Sequence, residues 1–149
     1  MQGANDTEGG ESLTENEQKK EYLKSYKNLC IKLKSLEEQL LSLREIEQSA
    51  KIQSISDMPK GSKQLDLSDY MVRLDIVLAK IVKTRAECLD RKLEIESRIA
   101  DMPEGIEADI LRRRYIEFKT WEQICVDIKY SWMQTHRLHS KALSQFKLN

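Results

Sequence analysis

The sequence has few glycines, prolines and aromatic residues, and it has no long apolar run. Five glycines, two prolines and a 6% aromatic content leave little material for tight turns or for a large globular core. No segment approaches the roughly 20 consecutive apolar residues that span a bilayer, and residues 1–18 lack the basic and then apolar pattern of a signal peptide. We therefore expect a cytoplasmic protein without a membrane segment, built from elongated helices.

Cysteine and the common catalytic motifs are also scarce. Cys30, Cys88 and Cys125 are odd in number and far apart, which argues against a disulfide framework or a zinc knuckle and favours reduced, buried thiols. His136 and His139 have the spacing HxxH but lack acidic or thiol neighbours, so we predict no metal site. No glycine-rich phosphate loop or nucleophile–base pairing is present. The chain is not expected to be an enzyme or to bind a cofactor.

Charge is abundant, at 34% of residues, and it is unevenly placed. The chain has 25 acidic and 25 basic residues, yet no acidic residue follows Asp127. Residues 1–20 are acidic, rich in glycine and without apolar periodicity, which predicts a disordered tail. An end that carries lysine and arginine without carboxylates favours an anionic partner.

Residues 21–102 have the apolar periodicity of two long helices. Heptad spacing is typical of helices that pack along a seam, and a loop near 57–66 would let the two helices fold back as an antiparallel hairpin. Arg85 and Lys92 interrupt the stripe of the second helix. The seam could close within one chain, between chains, or both. The predicted seam residues are Tyr26, Leu29, Leu33, Leu36, Leu40, Leu43, Met71, Leu74, Leu78 and Ile81.

Residues 103–149 predict a separate domain of three helices. Thr120 with Gln123, and Ser131 with Gln134, have the spacing of capping boxes that start the second and third helices. Two short helices joined by so tight a turn must cross steeply, as in a helix-turn-helix. The fold class is therefore all-α: a long hairpin followed by a helix-turn-helix domain. Its predicted core residues are Tyr115, Trp121, Ile124, Ile128, Leu138, Ala142 and Leu143.

The outer face of the last helix carries amide, imidazole and guanidinium groups and no carboxylate, which fits the major groove of double-stranded DNA. Phosphate contacts hold position, whereas contacts with base edges read sequence. The predicted base-reading residues are Met133, Gln134, His136 and Arg137. The predicted phosphate or backbone contacts are Arg112, Arg113, Lys129, Ser131, Trp132, Ser140 and Lys141. Trp132 and His139 lie at the border of the apolar face, so Trp132 is equally well placed to pack against the preceding helix.

The segment "TWEQICVDIKYSWMQTHRLHSKAL" resembles region 4 of sigma-70-type factors. The upstream segments "ILRRRYIEFKTWEQI" and "ISDMPKGSKQLDLSDYMVRLD" are similar to small regulators of phages and prophages, the ArpU/RinA-like late-gene activators. Trp132 and His136 stand where region 4 commonly has arginine, and nothing resembles the promoter-melting region 2. A complete sigma factor is therefore not expected.

The resemblance implies a late-gene transcription activator that acts with RNA polymerase in a bacterial host. A single helix-turn-helix gives limited specificity, so we expect a homo-oligomer, with a dimer favoured, that places two helices in neighbouring half-sites. Two other functions stay open. One is a small terminase-like DNA-packaging subunit that forms a ring, and the other is a region-4-like adaptor that binds RNA polymerase and not DNA.

Overall fold

The computed structural model describes the backbone of residues 6–55 and 67–149, and the side chains of residues 14–53 and 67–149. Within these ranges the chain forms helices α1 (Asp6–Ile55), α2 (Leu67–Ala100), α3 (Ile106–Leu111), α4 (Trp121–Ile128) and α5 (Trp132–Gln145). A π-helical turn, Arg112–Ile116, continues α3. The described part of the chain contains no strand, and no helix there is long and apolar enough to cross a membrane. The predicted loop near 57–66 lies outside the described residues.

The chain divides into two compact units. One contains residues 1–28 and 89–149, and the other contains residues 29–88. This corrects the predicted domain boundary at residue 102. Ile95 and Ile99 of α2 are buried in the same core as Leu143 and Phe146, because the end of α2 packs with α3 and α5 rather than only with α1.

The predicted disordered tail also needs correction, because α1 begins at Asp6. Residues 1–5 lie outside the described residues, but the later part of the predicted tail contributes to the fold. Lys19 is buried, and its Nζ donates a hydrogen bond of 2.8 Å to the carbonyl oxygen of Leu143. Glu15 lies 3.4 Å from the same ammonium group. A cation near the carbonyl end of α5 is favoured by the orientation of the helix dipole.

In the unit of residues 29–88, α1 and α2 pack through a small apolar core. Leu36, Val77 and Ile81 are buried, and Leu33, Leu40 and Leu43 pack against them. Glu47 accepts a hydrogen bond from Tyr70, and Glu37 pairs with Arg85. Tyr70, early in α2, thus meets a residue late in α1, whereas Arg85, later in α2, meets an earlier residue of α1.

The packed stripe of α2 differs from the predicted one. Met71 and Leu78 are exposed by 47% and 37%, whereas Tyr70 and Val77, one position earlier, are buried. The two candidate stripes differ at their third member. Continuing Met71 and Leu78 by seven residues would bury Arg85, whereas continuing Tyr70 and Val77 buries Thr84, which is 2% exposed. Burying an unpaired charge costs far more than burying a hydroxyl, so the second stripe faces α1.

The seam residues predicted on α1 mostly face inward. Leu36 is buried, and Leu29, Leu33, Leu40 and Leu43 are half-buried. Tyr26 packs in the other unit, where its ring stacks on Phe118 at 5.3 Å between centroids. On α2, Leu74 is half-buried and Ile81 is buried. The three cysteines are free, but only Cys88 is buried, since Cys30 and Cys125 are half-buried.

Candidate nucleic-acid interface

Helix α4 starts at the predicted capping box. The Thr120 hydroxyl accepts from the backbone N–H of Gln123 at 3.2 Å, and the Gln123 side-chain oxygen accepts from the Thr120 N–H at 2.9 Å. Without these two side-chain oxygens, the backbone N–H groups of Thr120 and Gln123 at the start of the helix would be unpaired. The helix buries Ile124 completely, while Trp121 and Ile128 are half-buried. The prediction of this helix and its start is confirmed.

Residues 129–131 connect α4 to α5. Lys129 adopts the left-handed conformation, with φ of 61°, and this reverses the chain after Ile128. The N–H of Tyr130 then donates to the Cys125 carbonyl. Ser131 starts α5 with the second predicted capping box, in which its hydroxyl accepts from the Gln134 N–H at 3.2 Å. The start of α5 is thus fixed by hydrogen bonds between close neighbours in sequence.

One face of α5 packs against the rest of its unit. Thr135, Ala142 and Leu143 are buried, as predicted, and Leu138 is half-buried. Tyr115, which was predicted in the same core, is also buried. With Ile124, these residues confirm the side of α5 that was assigned to the core, although Trp121, Ile128 and Leu138 keep part of their surface in contact with solvent.

His139 was predicted at the border of the apolar face, but it is only 6% exposed. Its Nε2 shares a hydrogen bond of 2.8 Å with the Tyr115 hydroxyl, and its ring packs edge-on against Trp121. Burial lowers the pKa of His139 to about 4, with smaller contributions from nearby cations, and burial raises the pKa of Tyr115 to about 12. At neutral pH both groups are therefore uncharged, and His139 acts as a core residue.

His136 is placed differently from its predicted role in reading bases. Its ring lies between two indoles, with centroid distances of 4.6 Å to Trp121 and 4.5 Å to Trp132. The Nε2 atom is buried and has no hydrogen-bond partner among the described residues. The imidazole therefore supports Trp132 rather than facing outward. Trp132 itself remains half exposed. It therefore packs against His136 and also presents part of its indole to solvent.

Arg137, Met133 and Gln134 form the outward surface of the first turns of α5, and all three are exposed. Within the described part of the chain, the Arg137 guanidinium has no ion pair or hydrogen bond. Gln134 is more restricted, because its Oε1 already accepts from the N–H and hydroxyl of Ser131. Bidentate recognition of adenine needs both the oxygen and the nitrogen of an amide. Gln134 can therefore donate a hydrogen bond from its N–H₂ group, but its oxygen is not available for the second hydrogen bond to adenine.

Several predicted phosphate contacts have intramolecular partners. Lys141 pairs with Glu107 at 3.0 Å, and this contact lowers the pKa of Glu107. Arg113, which was expected to face outward, is half-buried and pairs with Asp109 at 2.8 Å and Asp127 at 3.0 Å. The hydrogen bond to Asp109 raises the pKa of Arg113 further. These cations are partly neutralised before any ligand is present.

The other members of the predicted phosphate set are more available. Arg112 is exposed and lies 3.8 Å from Asp109, too far for a strong pair. Lys129 is exposed and has no partner among the described residues, and Ser140 is also exposed. The Ser131 hydroxyl is used by its capping box. Of the predicted cations, Lys129 at the turn and Arg137 on α5 have no partner among the described residues.

Sequence reasoning missed two supporting residues. The Lys119 ammonium binds Asp127 at 2.8 Å and lowers the pKa of that carboxyl, so the last acidic residue of the chain is neutralised by its neighbours. The Arg114 guanidinium stacks over Trp121 at 4.8 Å and donates to the Lys119 carbonyl. The three consecutive arginines in the sequence did not indicate these contacts, because the partner of each arginine depends on the path of the chain after α3.

The described surface around the start of α5 carries groups that can bind a partner. Among residues 14–53 and 67–149, no cluster of three histidine, cysteine or acidic side chains could hold a metal ion. The outward groups are a guanidinium, an ammonium, an amide and apolar side chains, which suit recognition of an anionic or hydrogen-bonding surface.

Comparison with known proteins places the chain in a family. A family model described as "Protein of unknown function (DUF1492)" matches residues 47–147. The chain belongs to the DUF1492 family. The DUF1492 match extends from the end of α1 through α5, so the candidate interface is part of the family's common region. No curated protein and no solved structure gives a significant match. The resemblance to ArpU/RinA-like regulators and to sigma region 4 stays a prediction.

Proposed function

We propose that this DUF1492 protein is a sequence-specific DNA-binding regulator in which α4 and α5 act as a helix-turn-helix. The observation that supports this most directly is the exposed guanidinium of Arg137, which has no partner among the described residues and lies on a helix that carries no carboxylate. Arginine binds the O6 and N7 atoms of guanine with two parallel hydrogen bonds, and this is the commonest specific contact in the major groove. In this proposal α5 enters the groove and Arg137 reads a guanine.

Lys129 has the complementary role of a phosphate contact. It lies at the turn that precedes α5, and its ammonium is free within the described residues. The first helix of a helix-turn-helix crosses the DNA backbone, which places the turn near a phosphate. Lys141 contributes less than its position on α5 suggests, because Glu107 already neutralises part of its charge.

Duplex binding tests this proposal. Fluorescence anisotropy with a pool of random duplexes at low salt, followed by selection of bound sequences, should give a preferred site that contains an essential guanine. Arg137→Ala should lose about 1–3 kcal/mol on that site and relax its guanine preference. Arg137→Lys retains the charge but loses the planar fork, so it should lose the guanine preference while keeping its affinity for random duplexes.

Lys129→Gln is expected to weaken binding to all DNA sequences equally. It should also reduce by about one the slope of the logarithm of the binding constant against the logarithm of the salt concentration. Glutamine, like lysine, is unbranched at Cβ, so the left-handed backbone of this position is disturbed equally little. Lys80→Gln, an exposed change on α2 in the other unit, is the matched control and should leave binding unchanged. The assigned roles would be contradicted if Arg137→Lys and Lys129→Gln lost the same affinity for every DNA sequence.

We also propose that α1 and α2 form a helical hairpin that pairs two copies of the chain. In the unit of residues 29–88, several large apolar side chains stay exposed, among them Leu41, Val72, Ile76 and Val82. Ile76 also lines an open groove of about 470 Å³ together with Leu43, Ile46 and Arg73. Exposed apolar surface of this kind commonly marks a protein interface.

Light scattering distinguishes the possible assemblies. We expect a dimer that Ile76→Glu converts to a monomer, since a carboxylate in an apolar interface would be desolvated without a partner. A ring of about eight or more subunits would instead favour the packaging function, because packaging subunits act as rings around DNA. The proposed action on late promoters with RNA polymerase is inferred only from the resemblance to ArpU/RinA-like regulators.

A second candidate function is an adaptor that binds RNA polymerase and not DNA. The exposed aromatic residues Tyr130 and Trp132 favour it, because tyrosine and tryptophan are typical anchors of protein interfaces. The binding assay separates the two functions. An absence of duplex binding at low salt, where phosphate attraction is strongest, would favour the adaptor and refute the DNA-binding proposal.

A further inference from the structure

The exposed apolar side chains of the last three helices are concentrated around the start of α5. Among residues 106–149, the large apolar side chains with the greatest exposure are Val126, Tyr130, Trp132 and Met133. They fall within a segment of eight residues that contains the turn. Met133 is 71% exposed, although Ala142 and Leu143 of the same helix are buried.

The position of Met133 is fixed by the start of the helix. Ser131 and Gln134 close the capping box on either side of it, and His136 packs against Trp132, the residue before it. Arg137 lies four residues later and therefore on the same face, one turn further along α5. A methionine on a fixed helical turn, next to an unpaired guanidinium, presents an apolar contact and a hydrogen-bonding contact to the same surface.

The major groove exposes one apolar group, the 5-methyl group of thymine. We propose that Met133 contacts a thymine methyl group next to the guanine bound by Arg137. This inference rests on the proposed DNA-binding function and specifies its target. The two residues are separated by about 6 Å along the helix axis, and base pairs are stacked about 3.4 Å apart. The thymine therefore lies within about two base pairs of the guanine.

A protein partner is the competing occupant of this apolar surface. The charges around it favour DNA. Lys129 precedes the start of α5 and Arg137 follows it, neither has a partner within the described residues, and α5 carries no carboxylate. An apolar patch bordered by free cations is complementary to a polyanion whose groove also contains methyl groups.

Replacing thymine by uracil tests the contact, because the change removes only the methyl group. The preferred duplex from the selection is synthesised with each thymine in turn replaced by uracil, and the affinity of the wild-type chain is measured by anisotropy. We expect one or two positions, within two base pairs of the Arg137-dependent guanine, to lose about four-fold in affinity. That factor corresponds to about 0.8 kcal/mol, the free energy of burying one methylene-sized group.

Met133→Ala should bind the thymine and uracil duplexes equally, whereas Met133→Leu should keep most of the preference. Met133 is largely exposed, so neither change threatens folding. Leu93→Ala is the matched control: Leu93 is 55% exposed, but it lies on α2, and its replacement should leave the thymine preference unchanged.

Two results would overturn the inference. If every uracil duplex binds as well as the thymine duplex while Arg137→Ala still loses the guanine preference, Met133 reads no methyl group and the DNA-binding function stands. If the wild-type chain binds no duplex at low salt, the DNA-binding proposal fails and the apolar surface belongs to a protein partner.

Discussion

The buried imidazole of His139 gives the sharpest prediction about stability. The ring is uncharged in the folded protein, because burial lowers its pKa to about 4, whereas its ordinary value is 6.5. A group with a lowered histidine pKa binds a proton more readily when the chain is unfolded. The folded state therefore loses stability as the pH falls from 6.5 towards 4, and the loss levels off below the folded pKa.

The size of the effect follows from the two pKa values. A difference of 2.5 pH units corresponds to about 3 kcal/mol in full, and about 2 kcal/mol of it should appear between pH 7 and pH 5. In that interval most carboxyl groups stay ionised, so acid unfolding through carboxylates contributes little. Burial is the largest cause of the lowered His139 pKa, and the neighbouring basic groups act in the same direction: Lys20, His136, Arg114 and Lys24.

Urea unfolding at pH 7, 6 and 5 measures this loss. Trp121 and Trp132 lie in the same unit as His139, so their fluorescence reports on its unfolding. His139→Gln removes the titrating group and should abolish this part of the pH dependence, although it lowers the stability at pH 7 by disturbing the bond to Tyr115.

A free-energy difference between wild type and His139→Gln that stays constant from pH 7 to pH 5 would refute the reasoning. It would mean that the imidazole accepts a proton in the folded state at little cost, and that its surroundings are far more polar than its 6% exposure indicates.

Two further substitutions test how α4 and α5 are held. Lys19→Met removes the buried donor to the Leu143 carbonyl and should cost about 1–3 kcal/mol in urea unfolding, whereas Lys20→Met, which removes a surface pair, should cost under about 1 kcal/mol; equal losses would contradict the role of Lys19. Thr120→Ala should cost about 1 kcal/mol in thermal unfolding by opening the capping box with Gln123, and Thr120→Ser should restore most of it. A serine variant as unstable as the alanine variant would show that the hydroxyl is not the stabilising group.

The sequence predicted the local features of the candidate interface well. Both capping boxes are confirmed, because each depends on a residue and its neighbour three positions later. The outward position of Arg137 and Met133 followed from helical periodicity in the same way. The partners of Lys141 and Arg113 could not be predicted so well, because Glu107 and Asp127 reach them only after the chain has folded back.

The same difference between local and tertiary contacts explains why the packed stripe of α2 was predicted wrongly. Two stripes with apolar residues overlap on this helix, and the one through Met71 and Leu78 was predicted to pack. The packed stripe passes through Tyr70 and Val77 instead. The hydroxyl of Tyr70 reaches Glu47 at 2.9 Å, and Arg85 stays in solvent beside Glu37. Hydrophobicity alone could not choose, since the choice depends on what α1 places opposite each position.

The sequence by itself determined the helical character of the chain, the starts of α4 and α5 and the carboxylate-free surface of α5, since these depend on residues within one or two helical turns of each other. The tertiary structure alone decided which stripe of α2 is buried and that Lys19 joins α1 to the end of α5. It also decided that His139 is a core residue, while Arg137 has no partner among the described residues. These outcomes depend on desolvation and pairing between residues distant in the chain, which no local pattern records.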